Sequence, residues 1–313
     1  MEMKMIGKIC GTGSYVPNRC ISNQELSERV DTSDEWIRER TGIANRYVSE
    51  TVNVSEMAIE ASLKAVENSG IDAEDIDLII VATSSAENIY PCTACMVQEA
   101  IGAKHAGAFD INAACTGFVT AFNTAQSFIA TGLYEVILVI GAERMSNLLD
   151  WNDRNTCILF GDGAGAVVLT KDANSSKCYM AAHADGKKGN AILLKTGQCG
   201  IQMDGQAVFK FAVRKIPEIV EELLMQSHLN TEDIDYFILH QANRRIIETA
   251  AKRLNTSMER FPMNMEKYAN TSAASIPILL DEMNNEGRFQ KGQRLLMAGF
   301  GAGLTWAGCI IEW

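Results

Sequence analysis

"DAEDIDLIIVATSS" (residues 72–85) and "NTEDIDYFILHQAN" (residues 230–243) share one plan: an acidic turn, Ile-Asp, an apolar strand and a polar exit. A likeness repeated across 158 positions reads as an internal repeat, and it predicts two related α/β halves packed together. Working outward from the first copy, "IDLIIVATSS" (76–85) reads as a strand, and "CTACMVQEAIGA" as a helix that begins near Pro91 and ends close to Gly102. "AGAFDIN" reads as a strand, "CTGFVTAFNTAQSFIATG" as a helix, and "EVILVIGAE" and "GAGAVVLT" (163–170) as buried strands. Around the second copy, "VRKIPEIVEELLMQS", "ANRRIIETAAKRL" and "SAASIPILLDEMNN" read as helices. "IDYFILH", "CYMAAHAD", "RLLMAGFGAG" and "TWAGCIIEW" read as strands. The soft segment "KDANSSKC" (171–178) divides the chain into halves 1–172 and 173–313.

The 313 residues suit two domains or one duplicated domain, and 47% hydrophobic with 21% charged residues is ordinary for a globular enzyme. The beginning "MEMKMIGKICGTG" has no apolar run of signal-peptide length, and no stretch is long enough for a membrane span. The expected setting is the cytoplasm, without membrane attachment. A net charge of −11 argues against nucleic acid as a partner. Nine cysteines are scattered, and with no secretory signal disulfides are not expected. Cys92 and Cys95 form a CxxC, a pattern open to a redox pair or half a metal site. There is no second CxxC and no His at ligand spacing, so packed thiols are expected and no metal.

Four places could carry chemistry. Cys115, in "AACTGF" (113–118), falls at a strand-to-helix turn among small residues. Unpaired N–H groups there favour a thiolate nucleophile, and a packed core cysteine is the alternative. His240 ends an apolar strand, where open α/β sheets build sites, although a strand-end His bonded to backbone would look the same. Asn270, in "YANTSAASIP", could be a functional amide or an ordinary helix cap. "GFGAGLTW" (299–306) has glycine at alternate positions. It precedes a strand and is not GxGxxG, so it suits an oxyanion hole or close strand packing better than a dinucleotide.

Taken in order, "DTSDEWIRERTGI" (31–43), "AACTGF", "FGDGAGAVVL" (160–169), "HQANRRI" (240–246), "NTSAASIP" (270–277) and "GFGAGLTW" resemble β-ketoacyl-acyl carrier protein synthase III over nearly the whole chain. That family initiates bacterial fatty acid synthesis. The resemblance implies a thiolase-like α/β fold, two similar halves in a five-layer αβαβα arrangement, and a homodimer. It places the nucleophile on Cys115, the His and Asn on His240 and Asn270, and the oxyanion donors on the backbone N–H groups of Cys115 and Ala302. Ala302 stands where the family often has Gly. The coenzyme A site maps to Thr32, Trp36, Arg40, Arg154, Gln206, Phe209 and Asn243, with Gln206 where the family often has Asn; Trp36 and Arg154 would sandwich the adenine.

The implied reaction is a decarboxylating Claisen condensation of a short acyl-CoA with malonyl-acyl carrier protein through acyl-Cys115. It releases CoA and CO₂, and the CoA thioesters are substrates, so no cofactor is expected. A polyketide or other secondary-metabolite synthase would share Cys-His-Asn. A non-catalytic acyl-binding protein and a NAD-dependent oxidoreductase are the readings from other classes. The carrier-protein motif of the family coincides with Gln241, Ala242, Asn243, Arg244 and Arg245. Docking of an acidic carrier on an acidic enzyme needs a local basic surface, which Arg245, Lys252 and Arg253 on one helix and Lys210 would provide. Tyr90, in a loop that in the family reaches across the dimer, would close the acyl pocket around acetyl or propionyl primers.

Overall fold

The structure, a computed structural model, describes residues 6–172 and 178–313. The proposed seam at "KDANSSKC" therefore lies largely outside the described residues.

Both copies of the repeat adopt one local structure. The acidic segment is a 3₁₀ turn, Ala73–Asp75 in one copy and Thr231–Asp233 in the other. Asp72 caps the first turn and Asn230 the second. The strands Leu78–Ala82 and Tyr236–Leu239 follow. The Asp after the Ile repeats its role as well. Asp77 N–H donates to Val136 O and Asp235 N–H to Arg294 O, both at 2.9 Å. The carboxylates accept back, Asp77 from the N–H groups of Glu135 and Val136, Asp235 from that of Arg294. Each Asp thus pins its strand in register to the parallel strand beside it.

The first sheet has five strands, in the order Ile6–Tyr15, Asp162–Asp172, Val136–Arg144, Leu78–Ala82, Gly107–Ile111. The second has four, in the order Tyr236–Leu239, Arg294–Gly301, Thr305–Glu312, Tyr179–Ala184. The repeat strand pairs parallel with its neighbour in both, and the next pairing is antiparallel in both.

Strand alternation creates the layers, because successive side chains point to opposite faces. Ile79, Val81, Leu138 and Ile140 pack under the outer helices Val54–Ser69 and Thr93–Ile101. Leu78, Ile80, Ile137 and Val139 face inward onto the helix Gly117–Thr131. From the other side Ile238, Leu295 and Met297 meet the same layer, which also contains the helix Ser275–Asn285. Phe237, Leu239, Leu296 and Ala298 face out under the helices Gly205–Ser227 and Arg244–Arg253. The order is helix, sheet, helix, sheet, helix. Strands covered on both faces are continuously apolar, as these are.

The first sheet ends its last strand at Asp172 and the second begins at Tyr179, and the cores are shared between them. Ile21, Leu26, Ile37, Ile43 and Val48 belong to the cluster built around Phe211, Phe237 and Phe300. Asp281 accepts the hydroxyls of Thr12 and Ser14 across the same divide. One helix starts earlier than its periodicity predicts: Gly205–Ser227 begins eight residues before Val213, capped by Asp204, which accepts from the Ala207 N–H, and it carries Pro217 inside. Among the described residues no helix is long and apolar enough to cross a membrane.

Candidate active site

The strand Gly107–Ile111 delivers the chain to a short 3₁₀ turn, Ala114–Thr116, from which the helix Gly117–Thr131 departs. Cys115 sits in that turn, directly after Ala114 at φ 46°, a left-handed conformation that costs a residue with a Cβ energy and is tolerated where packing imposes it. Packing does impose it here. The strand Arg294–Gly301 ends against the turn so closely that a Cβ on Gly301 would stand 2.8 Å from Cys115 Cβ and 3.3 Å from its backbone nitrogen. Ala302 follows next to Gly301 on the wall of the same cavity, and its φ is not positive, so alanine is accommodated there. The cavity, about 960 Å³, is lined by Cys115, His240 and Asn270 together, with Phe300, Gly301 and Ala302 beside them.

His240 leaves the strand Tyr236–Leu239 with its N–H on Ala298 O at 2.9 Å. Its ring packs edge-on against Phe300, with centroids 5.2 Å apart. Nδ1 is 2.7 Å from Ser275 Oγ, which also accepts the Gln241 N–H at 3.4 Å. The Ser275 hydroxyl can donate to Nδ1, and in that tautomer Nε2 carries the ring N–H. Burial lowers the imidazole to about 3, so it is neutral at working pH.

Asn270 is not a helix cap. Its backbone is bonded into the first half, N–H to Leu159 O and C=O from Gly161 N–H, both at 3.0 Å. Its Oδ1 accepts the Ser272 N–H at 2.9 Å, which leaves the amide NH₂ as the free end. A neutral imidazole and a neutral amide thus border one cavity.

The thiol departs from expectation. A helix end was expected to depress it, but burial pushes Cys115 up to about 11, and the charge of Glu143 adds to the rise while the Ser272 hydroxyl opposes it. The resting Cys115 side chain is a thiol. Sequence reasoning missed three groups here: Ser275 behind His240, Ser272 behind Asn270, and Glu143, a carboxyl near the end of an apolar strand. Glu143 stands at the same kind of strand exit that drew attention to His240.

At the cavity mouth are Trp36, Arg40, Gln206, Phe209, Ala242, Asn243 and Arg245. The Arg154 guanidinium lies 5.1 Å and that of Arg40 5.8 Å from the Trp36 ring centre, and Arg154 also donates to Asp31 O. Thr32 and Arg154 do not line the cavity itself. Asn243 caps the helix Arg244–Arg253 through the Arg245 N–H and donates to Arg40 O, joining two helices at the mouth. Arg245 lies over Phe209 at 5.7 Å, with Lys252, Arg253 and Lys210 exposed nearby in sequence or on the adjoining helix. Arg244 is partly covered and 3.7 Å from Glu266. One residue of the expected docking motif is corrected. Gln241 is fully buried, its amide donating to Leu239 O and accepting the Asn264 N–H, so it holds the fold and faces no partner. Tyr90 is 84% and Ile89 87% exposed, and Tyr90 does not line this chain's cavity. Cys92 and Cys95 have their sulfurs 3.4 Å apart at the start of the helix Thr93–Ile101. Among the described residues no group of three or more His, Cys, Asp or Glu side chains could hold a metal.

Two stacked sheets around buried helices, with a cysteine on a helix-entry turn facing a neutral His and Asn, define a condensing acyltransferase of thiolase-like fold. The chain belongs to the 3-oxoacyl-[acyl-carrier-protein] synthase III family: its model matches residues 109–186, and the model of the family's C-terminal part matches residues 224–313. The β-ketoacyl-[acyl-carrier-protein] synthase III of Clostridium acetobutylicum is 49% identical, with 98% of each chain covered. The β-ketoacyl-[acyl-carrier-protein] synthase III 1 of Bacillus anthracis is 47% identical over 97% of this chain and 98% of its own. The crystal structure of the Aquifex aeolicus 3-oxoacyl-[acyl-carrier-protein] synthase III superposes with a TM-score of 0.96 at 42% identity, covering 98% of this chain and all of that one.

Proposed function

We propose that the chain condenses a short acyl-CoA, acetyl-CoA or similar, with malonyl-acyl carrier protein to give 3-oxoacyl-acyl carrier protein, CoA and CO₂, the initiating step of fatty acid synthesis. The observation that carries this reading is the convergence of Cys115, His240 and Asn270 on one cavity. Cys115 sulfur attacks the acyl-CoA carbonyl; its proton leaves with CoA as the thiol, and the acyl group remains as a thioester. The tetrahedral oxyanion is taken by the N–H groups of Cys115 and Ala302. Malonyl thioester then enters, and its carbonyl oxygen accepts from His240 Nε2–H and the Asn270 amide. Loss of CO₂ leaves an enolate whose charge falls on that oxygen, so both donors act more strongly in the transition state than before it. The enolate carbon attacks the acyl thioester, and the Cys115 thiolate that departs takes a proton from water, the one proton the overall reaction consumes. CO₂ release drives the step, so the reaction as written needs no electron sink or metal.

The neutral imidazole supports this use of His240, since a donor is wanted and not a base. Trp36, Arg40, Gln206, Phe209 and Asn243 at the mouth would hold CoA, with Arg154 and Thr32 flanking. Ala242, Arg244, Arg245, Lys252, Arg253 and Lys210 would meet the acidic carrier. The exposed Ile89–Tyr90 tip is read as reaching a second copy of the chain, with Tyr90 closing that copy's acyl pocket. The setting proposed is cytoplasmic. Intact mass after mixing with a panel of acyl-CoAs tests the reading. A short acyl adduct on Cys115, discharged by malonyl-acyl carrier protein, is the expected result, and absence of any adduct would overturn it.

A further inference from the structure

Asn270 is bracketed by two left-handed residues, Ala269 at φ 59° and Ser272 at φ 49°. Neither is glycine, so each conformation costs energy and persists only where the surroundings impose it. The Asn270 backbone is held by Leu159 and Gly161. Its side chain is held by the turn itself, through the Ser272 N–H on Oδ1 at 2.9 Å. The aim of the free NH₂ therefore depends on where Ser272 stands.

A carboxylate from the other half holds Ser272. Glu143 is fully buried, and the mechanism above does not use it. Its Oε1 accepts the Ser272 hydroxyl at 3.0 Å and the Ser84 hydroxyl at 2.9 Å. Its Oε2 accepts the Ser84 N–H at 3.1 Å and the Ser85 hydroxyl. Three of the four donors belong to Ser84 and Ser85, so the carboxylate is fixed from its own half and offers one oxygen across to Ser272. The neighbouring Arg144 guanidinium is turned elsewhere, onto Ser49 O, Glu50 O and Asn53 Oδ1. A buried carboxylate without a cation costs stability, and such groups gather at functional sites. Two positions earlier, on the same face of the strand Val136–Arg144, Gly141 meets the turn as well: a Cβ there would stand 2.3 Å from Ala273 O. The end of this strand is thus pressed against the Asn270 turn at one point and hydrogen-bonded to it at the next.

We propose that Glu143 is a positioning residue for the Asn270 donor: it anchors Ser272, whose N–H fixes the amide so that the NH₂ is offered to the malonyl thioester oxygen. The inference deepens the reading of Asn270 given above and rests on it. Ser272 lines the cavity and Glu143 does not, so the carboxylate acts through the serine. Without the anchor the donor is present but loosely aimed. Decarboxylation, which draws on that donor, suffers more than acylation, which does not.

The test follows two half-reactions side by side: the acyl adduct formed on Cys115 by acetyl-CoA, read by intact mass, and CO₂ release from malonyl-acyl carrier protein. Ser272→Ala keeps the N–H and removes the hydroxyl. It should lower decarboxylation about tenfold, less than outright removal of a donor, and change acylation by less than about threefold. Glu143→Ala should do the same. Glu143→Gln should keep most of the rate, because its amide oxygen can serve the Ser84 N–H while its NH₂, in the place of Oε1, donates to Ser272 Oγ. In an Asn270→Ala background neither Ser272→Ala nor Glu143→Ala should cost decarboxylation further, since the group they aim is gone. Equal losses in both half-reactions, the full loss again in the Asn270→Ala background, or wild-type decarboxylation by Ser272→Ala or Glu143→Ala would overturn the proposal. Should Glu143→Ala fail to fold, Ser272→Ala breaks the same bond from its other end, and the same outcomes apply to it. A wild-type chain that releases CO₂ but takes no acyl group sinks the proposed function, while the cycle with Asn270→Ala still judges the positioning; a wild type with neither half-reaction overturns both.

Discussion

The two halves begin alike and end differently. In each, a 3₁₀ turn, an aspartate pinned to the next strand and an apolar strand follow in the same order. The first copy then exits as Ala82-Thr83-Ser84-Ser85, the second as His240-Gln241-Ala242-Asn243. Where the second half places an imidazole at the cavity, the first places alanine, and its next residues turn their hydroxyls onto a buried glutamate. In the proposed mechanism the first half supplies its reacting atom from the neighbouring strand's exit, at Cys115. The repeated frame provides two similar strand exits, and the proposed mechanism divides the chemistry between them: a nucleophile from one, neutral donors from the other.

The sharpest way to break this comparison is to disable one side at a time. Cys115→Ser should abolish acyl transfer from acyl-CoA while leaving measurable malonyl decarboxylation. His240→Ala or Asn270→Ala should keep acylation and lower decarboxylation by about 10²–10³, the scale of removing one oxyanion donor. Full condensation by Cys115→Ser would end the division of labour.

Next in size is Gly301→Ala. The added methyl would stand 2.8 Å from Cys115 Cβ, so the turn must shift, and acylation should fall by about 10²-fold, as for a misplacement near 1 Å. Decarboxylation should fall less, and an equal loss in both steps would show that the two sides move together.

Arg245→Glu should raise KM for malonyl-acyl carrier protein about tenfold or more, by introducing a like charge to the carrier, and 0.5 M salt should shrink that difference. The shift in acylation by acyl-CoA should be smaller. Equal shifts would place the docking surface elsewhere.

The halves should also separate by pH. With Cys115 raised to about 11, its alkylation should climb about tenfold per unit from pH 7 to 9, since the thiolate fraction does. With His240 lowered to about 3, its N–H is a constant donor over that range, and decarboxylation should show no limb from it. A decarboxylation limb near pH 6 that vanishes in His240→Ala would contradict the neutral imidazole.

The smallest effect compares the repeated aspartates. Asp77 accepts two backbone N–H groups and Asp235 one, so Asp77→Ala should cost more stability than Asp235→Ala by about 1 kcal/mol, measurable in urea. Equal losses would mean the second bond adds nothing.

Much of this was legible in the sequence, for physical reasons. The repeat shows because strand burial on both faces demands continuous apolar runs, and Cys115 and His240 show because polar residues at strand exits interrupt those runs. The reading failed where a residue's environment comes from distant chain. Gln241 lies in a functional-looking motif, yet Leu239 and Asn264 consume it. The thiol of Cys115 answers to Glu143 and to burial, which no local pattern reveals. The early start of the helix Gly205–Ser227 depends on a cap at Asp204 that precedes its clearest periodicity.

The cores that cross the seam have a consequence for how this chain comes into being. Among the described residues Ile6–Tyr15 pairs only with Asp162–Asp172, and Ile21, Leu26, Ile37, Ile43 and Val48 are buried in a cluster built mostly from residues 211–310. The first fifty residues leave the ribosome long before the surfaces that cover them exist. At about 5–20 residues per second, that leaves apolar segments waiting on the order of ten seconds or more for their partners. Trigger-type holding chaperones would find their binding sites in those early segments, and a chain cut before Asp162 would present the first strand permanently unpaired.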